Sequence, residues 1–131
     1  LTRLHPATVH FPIALLIVAA LVEMLAVARS STALSQAAGV MTVAGAAGAV
    51  IAALFGWIHT GIWFGGDATM DWHRWTGTGL ALAAPLAALL AFRADRGAFR
   101  TVIVLIAAAL VAQGYWGAEL AQGPDHLGLG I

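Results

Sequence analysis

Four long apolar stretches, separated by short polar segments, dominate the hydropathy pattern of the chain. They cover residues 7–28, 35–64, 71–92 and 98–120. A helix needs about 20 consecutive, mostly apolar residues to cross a bilayer, and each stretch is at least that long. The pattern therefore predicts an all-α integral membrane protein in which four transmembrane helices form a single domain over residues 1–131.

The segments between the apolar stretches are short and contain residues that end helices. Residues 29–32, 65–67 and 93–97 are rich in Arg, Ser, Gly and Asp, and Gly123 and Pro124 follow the last stretch. Helices joined by loops this short must be antiparallel neighbours. We therefore expect an antiparallel four-helix bundle with two distinct ends.

Composition supports a membrane environment and excludes several functions. The chain is 61% hydrophobic and only 9% charged, whereas a soluble domain has roughly 25% charged residues. Its formal net charge of zero provides no positive field for nucleic acid, so the expected partner is the lipid bilayer. The absence of Cys excludes disulfides, thiolate metal sites and covalent haem attachment.

All five histidines fall at one end of the predicted bundle, which we call the histidine end. There the first and third helices begin and the second and fourth helices end. The same end contains all five tryptophans and the single tyrosine. Aromatic belts usually occur at both membrane interfaces, so this asymmetry indicates a functional site. The residues are His5, His10, His59, His73, His126, Trp57, Trp63, Trp72, Trp75, Trp116 and Tyr115.

The arginines predict the orientation in a bacterial inner membrane. Arg29, Arg93, Arg96 and Arg100 fall at the opposite end, which we call the arginine end. Only two arginines fall at the histidine end. Because positive residues concentrate on the cytoplasmic side, we expect the arginine end in the cytoplasm and the histidine end in the periplasm.

The first candidate chemistry is a b-type haem held by two axial histidines. Such a haem needs two imidazoles from different helices at similar depth. We rank His10 with His73 first and His59 third. Gly56 and Gly77 lie one turn deeper on the faces of His59 and His73, which would leave room for a macrocycle.

Other residues at this end extend the candidate site. Arg3 or Arg74 could pair with haem propionates. The alternative cofactor is copper or zinc, bound by three or four histidines with an aspartate nearby. The candidate metal ligands are His5, His10, His59, His73 and His126, and the candidate aspartates are Asp67, Asp71 and Asp125.

Three functions remain open from these residues. The first is a periplasm-facing electron-transfer protein or subunit with haem b. The second is a copper- or zinc-binding or transport protein, and the third is a cofactor-free structural subunit of a respiratory or photosynthetic complex. Each is compatible with a homo- or hetero-oligomer. Glu23, inside the first apolar stretch, is expected to bond to Arg29 or a neighbouring helix, in preference to serving a proton path.

Three segments of the sequence resemble a known family. They are HPATVHFPIAL at residues 5–15, HRWTG at residues 73–77 and GAELAQGPDHL at residues 117–127. Together they resemble the bacterial membrane family called domain of unknown function 2231, over essentially the whole chain. Two positions depart from its pattern: Ala118 stands where a second Gly is expected, and Trp57 stands where many members have Asp.

The resemblance implies four transmembrane helices and a redox context. Members of the family occur joined to Rieske or c-type cytochrome domains, so redox subunits of these kinds are the implied partners. The resemblance also implies that His5, His10 and His73 are ligands. Any role of the Asp found in other members does not carry over, because this chain has Trp57 there.

Overall fold

In the residues that it describes, the computed structural model contains four α-helices. They are α1 (Leu4–Arg29), α2 (Thr32–His59), α3 (Ala68–Leu90) and α4 (Gly97–Gln122). The structure describes residues 4–124 and 128, with side chains from residue 8 onwards. Within this part every regular element is a helix, so the predicted all-α class is confirmed.

The second helix lies several residues earlier in the chain than the predicted stretch of residues 35–64. It begins after Ser31, whose side chain accepts a hydrogen bond of 3.3 Å from the Leu34 N–H, as an N-cap does. It ends at His59, because Gly61 and Ile62 adopt positive φ angles of 70° and 55°. That left-handed conformation ends a helix, although the apolar pattern continues beyond it.

Each helix packs against two neighbours, in the cyclic order α1, α2, α3, α4. Contacts near both ends show that α1 and α2 run antiparallel. In the α1–α2 pair, a methyl group added at Gly48 would lie 3.1 Å from Cβ of Pro12, and Ser35 reaches Glu23. The core between the helices contains fully buried Leu16, Ala19, Ala38, Ala84, Ala87, Ala91, Phe99 and Ile103.

Close approach of α1 and α2 depends on a glycine. A methyl group added at Gly45 would lie 2.8 Å from Cγ of Leu16, closer than carbon atoms pack in proteins. In lipid there is little hydrophobic drive between helices, so close backbone approach at small residues is a main source of helix association.

Among the described residues, three helical segments are long and apolar enough to cross a membrane. They are Thr8–Arg29, Thr32–His59 and Gly97–Gln122. Helix α3 has 23 residues but is less apolar, because its first half contains Asp71, His73, Arg74 and several threonines.

A buried carboxylate joins three helices at the arginine end. Glu23 of α1 is fully buried and accepts hydrogen bonds from Ser35 of α2 (3.0 Å) and Arg100 of α4 (3.0 Å). Arg96, at the start of α4, donates from Nε (3.2 Å) and Nη2 (2.9 Å). The expected bond to a neighbouring helix is present, with Arg96 and Arg100 as partners.

Candidate functional site at the histidine end

His73 and Gln113 form the best-defined polar contact at the histidine end. Nε2 of Gln113 lies 3.1 Å from Nδ1 of His73 and 2.9 Å from the His73 carbonyl oxygen. A carbonyl only accepts hydrogen bonds, so a nitrogen must face it, and that nitrogen also donates to Nδ1. The neutral imidazole therefore carries its proton on Nε2 in this arrangement.

Two glycines provide the space for this contact. A methyl group added at Gly77 would lie 2.7 Å from Nε2 of Gln113, and one added at Gly117 would lie 3.1 Å from Cε1 of His73. The space beside Gly77, expected to admit a macrocycle, thus holds the Gln113 side chain. Gly56 lies in the last turn of α2, where its carbonyl accepts a bond of 3.1 Å from the Thr60 N–H.

Arg74 is buried and attaches the α2–α3 connection to α3. One terminal nitrogen of its guanidinium donates to Asp71 (3.0 Å) and the other to the Gly65 carbonyl (2.9 Å). The guanidinium carbon also lies 5.5 Å from the centre of the Trp57 ring, within the range of a cation–π contact. Both terminal nitrogens of Arg74 thus donate to groups of the protein. The sequence analysis had offered this arginine as a partner of haem propionates.

The α2–α3 interface is closed by a short hydrogen-bonded chain. Nε1 of Trp57 donates to Oγ1 of Thr78 (3.1 Å), and that hydroxyl donates to the Arg74 carbonyl (2.8 Å). The indole N–H, which requires a partner when buried, is thereby satisfied inside the bundle.

Aromatic rings form two groups around these contacts. Trp57, Phe64 and Trp75 lie with ring centres 5.4–6.3 Å apart. Trp72 stacks on Trp116 of α4 at 5.7 Å. Phe64, Trp72 and Trp75 each remain more than half exposed, so the histidine end presents an aromatic surface.

His10 lies deeper in the bundle than the sequence suggested. Leu16 packs at Gly45 and Pro12 at Gly48, a register that brings His10 level with roughly residue 50 of α2. His59 is the last residue of α2, so His10 lies about nine residues, or about 13 Å, further in. His10 and His59 are both exposed.

His59 and His73 lie at similar depth but face different sides. Trp57 bonds to Thr78 and contacts Trp75, so the end of α2 lies beside the start of α3. Positions two residues apart on a helix differ by about 200° in direction. His59 and His73 therefore point away from the interface that Trp57 and Trp75 fill, and His73 faces α4.

The candidate metal ligands do not converge in the part of the chain that the structure describes. Residues 8–124 contain no group of three or more His, Cys, Asp or Glu that could hold a metal ion. The side chain of His5, together with Arg3, Asp125 and His126, lies outside the described residues.

Gln113 was missed by the sequence analysis, although a signal was present. It is a strongly polar residue inside the apolar stretch of α4, four residues before Gly117. A buried amide in such a stretch is expected to bond to a neighbouring helix. What the sequence cannot show is that its partner is the ring and backbone of His73.

The family described as "Predicted membrane protein (DUF2231)" matches residues 2–124 of the chain. The chain belongs to this family. The family membership inferred from the three sequence segments is thereby confirmed. As a DUF2231 protein the chain is a membrane protein, which agrees with its three strongly apolar helices. No curated protein and no solved structure matches it.

Proposed function

We propose that this DUF2231 protein crosses the bacterial inner membrane four times, with its histidine end in the periplasm. Helix α3 has 23 residues and is about 34 Å long at ~1.5 Å per residue, enough for a bilayer core of about 30 Å. Its Arg74 and Thr78 are bonded within the protein, which lowers the cost of bringing them near lipid. The excess of arginine at the other end supports this orientation.

Reporter fusions test this topology. A phosphatase that works only in the periplasm should be active when fused after residue 66 and inactive after residues 30 and 94. A cytoplasmic fluorescent reporter should show the reverse. Equal behaviour of the fusions after residues 66 and 94 would mean that α3 does not cross the membrane.

We further propose that the histidine end binds b-type haem through two histidines and transfers electrons. The observation that carries this proposal is the His73 ring, which is held between α3 and α4 by Gln113. A histidine that binds a metal usually has its second ring nitrogen held by another group, to which that nitrogen donates. The Gln113 amide lies at Nδ1 of His73 and would accept from it once its oxygen faces the ring. Redox subunits carrying c-type haem or a Rieske cluster are the partners that fit this role.

The second ligand is proposed to come from α1. His10 and His5 are the two candidates for this position, of which the sequence ranked His10 first. His5 lies five residues closer to the histidine end and so fits the depth of His73 better. His59 shares the depth of His73, but the two side chains lie on different sides of their helices.

An absorption spectrum of the protein purified from haem-replete cells tests the haem proposal. The expected result is a Soret band that shifts on reduction and is lost in His73→Ala and in His10→Ala or His5→Ala. The His59→Ala variant is the matched control and should keep its band. Circular dichroism confirms that each variant retains its helices. A colourless wild-type protein, or unchanged spectra in all ligand variants, would contradict the proposal.

A cofactor-free structural subunit is the second candidate. It is favoured by Gln113 donating to Nδ1 of His73 and by Arg74 using both terminal nitrogens within the protein. In this role the two groups fasten helices together. An intact bundle without a Soret band or bound metal supports it, whereas copper or zinc found by metal analysis without a Soret band supports the metal-binding alternative.

A further inference from the structure

We infer that Gln113 is the positioning residue that sets the tautomer of His73, and that its side-chain amide must turn over before Nε2 of His73 can bind iron. The first half of this inference stands on the geometry of the two side chains alone. The second half rests on the proposed function.

The amide nitrogen of Gln113 meets two acceptors at once. It lies 2.9 Å from the His73 carbonyl oxygen and 3.1 Å from Nδ1 of the same residue. Each of its two hydrogens therefore has one acceptor. With Nδ1 accepting, the ring proton of neutral His73 is on Nε2.

The opposite orientation of the amide is unfavourable while His73 is in this tautomer. It would bring Oε1 to within about 3 Å of both the unprotonated Nδ1 and the carbonyl oxygen of His73, and acceptors without a hydrogen between them repel each other. Yet the observed orientation also leaves a polar group unsatisfied. Oε1 of Gln113 is buried and has no hydrogen-bond partner among the described residues, which is unfavourable for a buried acceptor.

The turned amide would also place its nitrogen where Oε1 now finds no partner in the described part of the chain. We therefore infer that the amide turns over only when Nδ1 carries a proton for Oε1 to accept. An imidazole binds iron through a nitrogen that carries no proton. Binding through Nε2 moves the ring proton to Nδ1, which then needs an acceptor. Turning the Gln113 amide over supplies Oε1 as that acceptor, in the arrangement that ligating histidines generally adopt.

Gly77 and Gly117 hold the amide and the ring within reach of each other. A methyl group at Gly77 would lie 2.7 Å from the amide nitrogen and would push Gln113 away from His73. At Gly117 the added group would lie 3.1 Å from Cε1 of the ring. Gly77→Ala is consequently a test of the contact that leaves both partners chemically unchanged.

The tautomer is measured by ¹⁵N NMR of the histidine rings in the cofactor-free protein in detergent. Wild-type His73 should show the tautomer with the proton on Nε2. Gln113→Glu, whose carboxylate only accepts, should move the proton to Nδ1. Gln113→Leu and Gly77→Ala should each give the mixture seen for exposed His59. Gln122→Glu, an exposed position on the same helix, is the matched control and should leave His73 unchanged.

The inference is overturned if wild-type His73 carries its proton on Nδ1, or if its tautomer is the same in all Gln113 variants. Should Gly77→Ala fail to fold, Gln113→Leu gives the same answer. The link to haem is tested separately by titrating haem into wild type and Gln113→Glu. The carboxylate presents an oxygen permanently, so haem should bind several-fold more tightly to this variant. Equal haem affinity, or no haem binding by either protein, overturns the second half only, because the tautomer result does not depend on haem.

Discussion

Removing the carboxylate of Glu23 should destabilise the bundle more than any other single change at the arginine end. The Glu23 side chain is 0% exposed and that of Arg96 only 18% exposed. In Glu23→Leu the Arg96 guanidinium keeps its buried position but loses both of its bonds to the carboxylate. The variant thus leaves the guanidinium with the carbonyl oxygens of Ala91 and Ser35 as partners but without its counter-charge.

The expected magnitude follows from the burial of each partner. Breaking a buried ion pair by removing one partner costs about 3–5 kcal/mol. Arg100 adds little to this figure, because its side chain is 43% exposed and can turn toward water or lipid headgroups. Glu23→Gln keeps an acceptor for Arg96 but loses the charge, so we expect a smaller loss of about 1.5–3 kcal/mol.

Unfolding in mixed micelles with a rising fraction of denaturing detergent, followed by circular dichroism, measures these free energies. Glu23→Leu combined with Arg96→Met should recover most of the lost stability, because replacing a whole buried pair with apolar residues is often neutral. Glu119→Leu, at the other end of α4, is the control and should change stability by less than about 1 kcal/mol. The reasoning is refuted if Glu23→Leu is as mild as this control, or if the double variant is less stable than Glu23→Leu.

Two further predictions concern the helix interfaces. Gly45→Ala should destabilise the α1–α2 pair by about 1–3 kcal/mol, because the new methyl group overlaps Leu16. Gly114→Ala has open space around it and should instead be neutral or stabilising by up to about 1 kcal/mol; detergent unfolding compares the two, and similar losses would refute the packing argument. Trp57→Phe should lose about 1 kcal/mol with its bond to Thr78. Thr78→Val should then cost less in the Trp57→Phe background than in wild type, because only the bond to the Arg74 carbonyl remains to be lost; an equal cost in both backgrounds would refute the Trp57–Thr78 bond.

The helices were predictable from sequence because the membrane imposes a simple rule on length and hydropathy. The end of α2 was not predictable in this way, because Trp63 and Phe64 continue the apolar pattern after the helix has ended. What ends α2 is a local backbone conformation at Gly61 and Ile62. Such a conformation leaves no trace in a hydropathy profile.

The candidate site was predictable only as far as which residues share an end of the bundle. The depth of each histidine in the bundle, and the direction in which its side chain points, depend on the register between helices. Contacts such as that of Gly48 with Pro12 fix this register. Sliding one helix past its neighbour by one turn moves a histidine by about 5.4 Å. Amino-acid composition does not determine this register. The polar partners were equally hidden, because Gln113 lies 40 residues from His73 in the chain.

The central claim is that α3 crosses the bilayer and so brings all four helix ends with the aromatic and histidine residues to the outer surface. The chain contains no cysteine, so single cysteines can be introduced without background. In intact cells a membrane-impermeant maleimide should label Ile62→Cys, just before α3, and should label Ala94→Cys, just after it, only once the membrane is opened. Labelling of both positions in intact cells, or of neither, would contradict the account.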